Sequence, residues 1–327
     1  MQRTGDGATD FAYRYAVLGV LILMLIIFSV LLPETFPTID NLRVTLVTQA
    51  VLVIVAIGLT FTLATGEFDF TFGPIVGFSA CLCGHLTSQQ GWALGPAVIA
   101  TFACCALVGL INGFFVIRIG ISSLIATLAV GMTLVGITLG FTQSNVVAPP
   151  ARELTWFATS ELFGLPYPVY LSFLIAALAW YVYEHTPIGR YFYFVGEGDR
   201  AARLGGLPVD RVRMIALMIT ALVSGAAGML SLGRLGSADP NIGMTYLLPV
   251  TAAVFLGATT IKPGRFNAWG TVVAVYVLVI GVTGLQLLGA DIWMENVFYG
   301  AALLAAVTFA ALLRRGSAAT LKVSAKL

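Results

Sequence analysis

Two carboxylates stand between long apolar runs: Glu67 and Asp69, within Thr65-Gly66-Glu67-Phe68-Asp69-Phe70-Thr71-Phe72-Gly73-Pro74. A charge at the centre of a bilayer costs roughly 2.5–3.5 kcal/mol on insertion scales, so such residues face a protein interior or a wet cavity. Gly66 and Gly73 weaken a helix, and Pro74 is tolerated only in a helix's first turn. The pattern predicts a helix that stops near residue 66 and another that starts near 72, with Asp69 or Thr71 capping the second. Broken helices of this kind commonly build solute sites within a membrane. Thr65, Gly66, Glu67, Phe68, Asp69, Phe70 and Thr71 are therefore the first candidate site, a pathway or gate. A tight turn with an N-cap and no solute contact fits the same residues equally well.

A second candidate is the polar stretch 184–211, which carries Arg190, Arg200, Arg203 and Arg211 with Glu197, Asp199 and Asp210. Within it, Asp199-Arg200-Ala201-Ala202-Arg203-Leu204-Gly205-Gly206-Leu207 reads as a short helix that Asp199 caps and the two glycines end. Such a helix beside a membrane is either a basic loop drawn to anionic lipid or a docking element for a cytoplasmic protein. A third candidate, Leu256 through Gly270, is a Gly- and Thr-rich helix end followed by the basic turn Lys262-Pro263-Gly264-Arg265. It loosely resembles residues 60–77, a weak hint of an internal repeat.

Other chemistry finds little support. Cys81, Cys83 and His85 have the composition of a metal site, but positions two apart on a helix point to nearly opposite sides, so no metal is expected. The four cysteines all lie in apolar runs and read as reduced fillers. There is no G-x-x-x-x-G-K-[ST] phosphate loop, no H-E-x-x-H and no G-x-S-x-G. Neither an enzyme nor a cofactor is predicted.

The elements that must position these residues follow from composition. Of 327 residues, 59% are hydrophobic and 10% charged, against about 25% charged in a soluble domain. Mean hydropathy is +0.96. So few charges cannot clothe a water-exposed surface, and the chain is predicted to face lipid. Apolar runs of membrane-spanning length fall at 15–32, 44–65, 72–88, 92–117, 122–141, 169–183, 212–233, 247–261, 268–288 and 295–313. They are too long, and apolar on too many sides, for barrel strands. The predicted fold is an all-α polytopic transmembrane bundle of about ten helices, one of them broken near 66–74. With the N-terminus inside and strict alternation, fourteen of the seventeen basic residues fall on the inner side and only Arg43, Arg152 and Arg234 outside. That asymmetry predicts both termini in the cytoplasm. It makes one domain of the chain, with a cytoplasmic arm at 1–14, an outer cap at 142–168, an inner coupling segment at 184–211 and a cytoplasmic tail at 314–327. The first run reads as a retained helix rather than a cleaved leader. The pairs Gly73/Gly77, Gly109/Gly113 and Gly136/Gly140 have the G-x-x-x-G spacing of close helix packing.

Four stretches in register resemble the permease family of ribose-type ABC importers. Gly66-Glu67-Phe68-Asp69-Phe70-Thr71-Phe72-Gly73 is similar to that family's G-[G/E]-I-D-L-S-x-G, and Ser122-Ser123-Leu124-Ile125-Ala126-Thr127-Leu128 to P-x-F-I-A-T-L. Thr186-Pro187-Ile188-Gly189-Arg190-Tyr191, followed by 201–207, resembles T-x-x-G-R-x…A-A-R-L-S-G-I, and Leu256-Gly257-Ala258-Thr259-Thr260 resembles L-G-G-T-S. The match runs from about residue 40 to 312. Phe70-Thr71 departs from Leu-Ser, Ser122-Ser123 from a proline-containing pair, and 262–265 from a more glycine-rich turn, so the solute need not be ribose. The resemblance implies a permease subunit in a bacterial inner membrane, passing a monosaccharide, polyol or nucleoside by alternating access. Its implied partners are cytoplasmic ABC ATPases that engage residues 199–207, an extracytoplasmic binding protein and a second permease chain, identical or different; nucleic acid is not among them. The alternatives are a branched-chain amino-acid permease of the same broader group and an ion-coupled transporter working alone, for which Glu67 and Asp69 would be the ion site.

Overall fold

A computed structural model describes residues 7–324, with side chains described over 14–308; the outermost residues of the expected arm and tail, 1–6 and 325–327, lie outside the described residues. The chain is all-α and polytopic. Its helices are α1 (Gly7–Leu31), α2 (Ile39–Ala64), α3 (Phe72–Gly84), α4 (Leu94–Gly113), α5 (Ser123–Thr142), α6 (Arg152–Thr159), α7 (Tyr167–His185), α8 (Pro187–Glu197), α9 (Asp199–Leu204), α10 (Val209–Leu235), α11 (Leu247–Gly257), α12 (Ala268–Leu287) and α13 (Trp293–Ser324). Single π-helical stretches, His85–Gln89 and Phe114–Ile119, prolong α3 and α4. The ten predicted apolar runs correspond to ten of these helices, and the additional α6, α8 and α9 lie in the two long polar connections. Among the described residues, six helical spans are long and apolar enough to cross a membrane.

The chain divides into two compact units. The first combines residues 1–45 with 248–327. In it α1 packs against α12, where the Phe28 ring lies over Gly284 so closely that a Cβ there would meet it at 2.3 Å. Phe298 covers Gly281 in the same way, at 2.4 Å. The outer side of α1 shows Ile22, Leu23, Ile26 and Val30, each more than half exposed, as a surface in contact with lipid rather than water would.

The second unit, residues 46–247, is built on α10, which packs along both α3 and α4. Small residues make that approach possible. A Cβ on Gly228 would lie 2.2 Å from the Val76 carbonyl and 2.1 Å from Ser79 Oγ, and one on Gly113 would lie 2.3 Å from Met214 Sδ. Gly73 and Gly77 work similarly against the short 3-10 turn Ile242–Tyr246 and the residues before it: their Cβ atoms would meet the Gly243 and Pro240 carbonyls at 2.7 and 2.8 Å. The third spacing pair behaves differently, since Gly136 and Gly140 meet nothing within 4 Å among the described residues. Spacing alone does not say whether a neighbour is present.

The predicted outer cap is a small structure. In it α6 lays Leu154 and Ala158 on α10 at Gly233, and a two-stranded ribbon, Glu161–Leu162 with Leu165–Pro166, turns through Phe163 and Gly164, both at positive φ. Cys81 and Cys83 are buried, with the Cys81 thiol toward the Ala238 carbonyl at 3.8 Å, while His85 lies near Gln90 at 3.2 Å.

The two kinds of glycine should separate on substitution. Gly228→Ala is expected to force α3 and α10 apart at a cost of about 1–3 kcal/mol, the usual range for overpacking. Gly136→Ala, with open space around it, should leave stability unchanged or slightly raised. Thermal unfolding of the detergent-purified chain distinguishes them.

Candidate functional site

The break between α2 and α3 forms because α2 is actively terminated. Gly66, at φ +83°, occupies a left-handed position. The Gly66 N–H then bonds the Leu63 carbonyl and the Glu67 N–H the Thr62 carbonyl, a Schellman closure. Thr65 Oγ donates to the Thr62 carbonyl at 2.7 Å. Across this end, Gly196 of α8 approaches so closely that a Cβ on it would lie 2.2 Å from the Ala64 carbonyl.

Residues 67–71 then run without helical bonds, and their buried polar groups need partners from elsewhere. Helix α5 supplies them. The Phe68 N–H donates to Ser123 Oγ at 3.0 Å and the Phe70 N–H to Thr127 Oγ at 3.1 Å. Ser123 and Thr127 are four apart, so one face of the first turns of α5 presents both hydroxyls. Thr127 also donates to the Ser123 carbonyl at 2.7 Å, which fixes its rotamer. Asp69 accepts from the Thr71 N–H at 2.8 Å and from Thr71 Oγ at 2.5 Å through one carboxylate oxygen. Asn112 of α4 donates to Thr71 Oγ at 2.9 Å. The expected cap is thus displaced by one step: Asp69 holds the N–H of Thr71, the residue before α3, and neither side chain caps the helix itself. Pro74 lies in the first turn of α3 as expected.

Among the candidate pathway residues, Thr65, Glu67, Asp69 and Thr71 are buried, while Phe68 is 38% exposed and stacks on Phe70 with ring centres 6.5 Å apart. Phe72 is wholly buried and belongs to the core.

Glu67 points at α10. Its Oε1 is 2.9 Å from Arg213 Nε, an ionic contact whose N–H is not aligned as a hydrogen bond. Arg213 Nη2 is bonded to Asp199 Oδ1 of α9 at 2.6 Å. Asp199 therefore answers Arg213 and does not cap α9, whose N-cap is Gly198, without a side-chain bond. The predicted stop is observed: Gly206 at φ +78° lets the Leu207 N–H reach the Ala202 carbonyl and the Gly206 N–H the Arg203 carbonyl. A second pair, Arg203 with Asp210, is exposed on both sides and contributes little. Ala202 is the buried residue of α9; Arg200, Ala201, Arg203 and Leu204 face outward, Leu204 at 83% exposure.

Helix α8, unforeseen in a stretch read as polar connection, anchors this region. Thr186 caps it by accepting the Gly189 N–H at 3.3 Å, Pro187 starts it, and a Cβ on Gly189 would strike the Val182 carbonyl at 2.2 Å. Its Phe192 packs on Phe61 and Tyr183, and Tyr183 OH meets Thr60 Oγ at 2.8 Å.

The third stretch is built differently. The Asn267 side chain accepts the Gly270 N–H at 2.7 Å and donates to the carbonyls of Gly257, Thr260 and Arg265. That connection is held by its own asparagine together with Arg14 of α1, whose carbonyl accepts from the Ile261 N–H and from Thr260 Oγ, each at 2.8 Å, and whose Nε donates to the Ile261 carbonyl at 3.0 Å. Among the described residues, no three His, Cys, Asp or Glu side chains come together as a metal site would require.

Sequence reasoning missed Ser123, Thr127, Asn112 and Arg213. A serine and threonine spaced i, i+4 at the start of an apolar helix, and a lone asparagine inside an apolar run, were the available signals.

A multi-pass helical chain with a break closed by neighbouring helices has the architecture of a membrane transport component. The chain belongs to the family described as the permease component of the branched-chain amino acid transport system, which it matches over residues 41–307. It is similar to the ribose import permease protein of Escherichia coli strain K12, 31% identical over 291 residues covering 88% of this chain and 90% of that one. The ribose import permease protein of Haemophilus influenzae is 27% identical over the same shares. The autoinducer 2 import system permease protein of Photorhabdus laumondii is 29% identical over 309 residues, 91% of this chain and 90% of that one. The chain is accordingly a permease subunit of an importer.

The break makes a sharp stability prediction. Thr127→Val keeps the shape but leaves the Phe70 N–H without its acceptor, at a cost of about 1–3 kcal/mol. Ser122→Ala, at an exposed position whose side chain makes no cap bond, should cost nothing measurable. Melting temperatures of the two variants test this.

Proposed function

We propose that this chain is the membrane-spanning permease of an ATP-driven importer that carries a monosaccharide or a related small polar solute, such as a polyol or nucleoside, by alternating access. The solutes for which its relatives are named, ribose and autoinducer 2, support a sugar-like cargo over a branched-chain amino acid. The chain acts as one permease domain in a bacterial inner membrane, with both termini, the 1–14 arm, the 184–211 coupling segment and the 314–327 tail in the cytoplasm and the 142–168 cap outside. Cytoplasmic ATPases supply the energy, this chain performs no chemistry, an extracytoplasmic binding protein delivers the solute, and a second permease chain completes the pathway.

The observation that carries this reading is α9. A six-residue helix ending in the glycine pair Gly205-Gly206 holds Leu207 half-buried and turns Arg200 and the apolar Leu204 outward. An apolar side chain 83% exposed beside a cation fits a surface that a partner covers. Residues 199–207 are therefore the ATPase dock, and 65–71 the gate or pathway element, with Phe68 its exposed side chain.

Reconstitution in proteoliposomes with and without the co-purifying ATPase tests the energy source. Uptake is expected to require ATP and the ATPase; uptake driven by an ion gradient without ATP would overturn the reading. Arg203 is engaged by Asp210, so Arg200→Glu with Leu204→Asp is the cleaner probe of the dock. That double variant should lose ATPase association in pull-down while retaining its melting temperature.

A further inference from the structure

Arg213 joins two elements that the sequence places far apart. Asp199 is the first residue of α9, Glu67 is the residue that closes the end of α2, and Arg213 lies in the second turn of α10. The same Glu67 that places its carboxylate 2.9 Å from Arg213 also gives its N–H to the Thr62 carbonyl, so its backbone is fixed to the α2 terminus. The next residues, Phe68 and Phe70, are bonded to Ser123 and Thr127 of α5. A continuous set of ionic and hydrogen-bonded contacts therefore runs from the first turn of α9 through Arg213 to the 67–71 connection and on to α5.

Burial distinguishes this link from its neighbour. Arg203 and Asp210 are 52% and 55% exposed, a pair that solvent screens. Arg213 and Glu67 are 21% and 9% exposed, and screening is much weaker there. A guanidinium is suited to the position, because its planar fork can serve two carboxylates at once where an ammonium acts as a point charge.

We propose that Arg213 is the positioning residue that couples the docking helix to the broken helix, so that displacement of α9 by a cytoplasmic partner is passed to Glu67 and changes the 67–71 connection. This rests on α9 being the ATPase dock. Arg213 touches no solute; it acts by tying Asp199 to Glu67.

The test needs no knowledge of the solute. A thiol is introduced by Phe68→Cys, and its rate of labelling by a water-soluble maleimide is measured with the co-purifying ATPase bound, with and without ATP. With Arg213 intact, ATP should change the rate. Arg213→Gln should reduce that ATP-dependent change by about fivefold or more, the lower end of typical coupling between sites, while the ATPase still co-purifies. Arg213→Lys should restore it only in part. If Arg213→Gln does not assemble, Glu67→Gln, which keeps the Arg213–Asp199 arm, is read in the same way. An ion pair that serves stability alone would lower the melting temperature of each variant yet leave the response at position 68 whole, and that result overturns the proposal. So does an unaltered chain whose position 68 ignores ATP while the ATPase is bound. Failure of the ATPase to associate with the unaltered chain would instead remove the docking reading beneath it.

Discussion

The second unit depends on satisfying a short stretch of non-helical backbone inside protein. Beyond the Gly66–Glu67 closure of α2, the amides of 68–71 have no intrahelical acceptors, and an unpaired buried amide costs about 1–3 kcal/mol. Three features of the unit follow from meeting that demand. Helix α5 begins with Ser123 and Thr127 facing the break, α4 brings Asn112 to Thr71, and Asp69 turns its carboxylate onto the Thr71 backbone. Irregular backbone is tolerated here because side chains of other helices complete it.

Close backbone approach lets those helices reach the break. Gly228 brings α10 against α3, Gly113 admits Met214, and Gly196 and Gly189 set α8 against the ends of α2 and α7. Each contact exchanges a side chain for proximity, since helices in lipid associate by packing rather than by hydrophobic exclusion. The result is a dense region around the 66–71 connection, to which Arg213 ties the first residue of α9. The charged link behind α9 leads to the connection between α2 and α3.

Much of this was legible in the chain itself. The near absence of charge required a lipid-facing bundle, and all ten apolar runs became helices. The Gly-Glu-Phe-Asp-Phe-Thr sequence marked the break, and Gly205-Gly206 marked the end of α9. These are short-range properties: periodicity, left-handed backbone at glycine and the helix intolerance of proline act within one turn. Local chemistry also misled. Asp199 has the composition of an N-cap but is taken by an arginine fourteen residues away, and Gly136 and Gly140 have packing spacing without a packed neighbour.

By itself, then, the sequence determined that this protein is helical and membrane-embedded, where its helices stop, and which family it belongs to. Tertiary structure decided which side chains those stops find. That Ser123 and Thr127 complete a break more than fifty residues earlier, and that Arg213 answers both Glu67 and Asp199, are pairings that the local sequence does not specify. The physical reason is that a helix end advertises its unmet hydrogen bonds in its own residues, whereas the groups that meet them belong to whichever helices packing brings alongside.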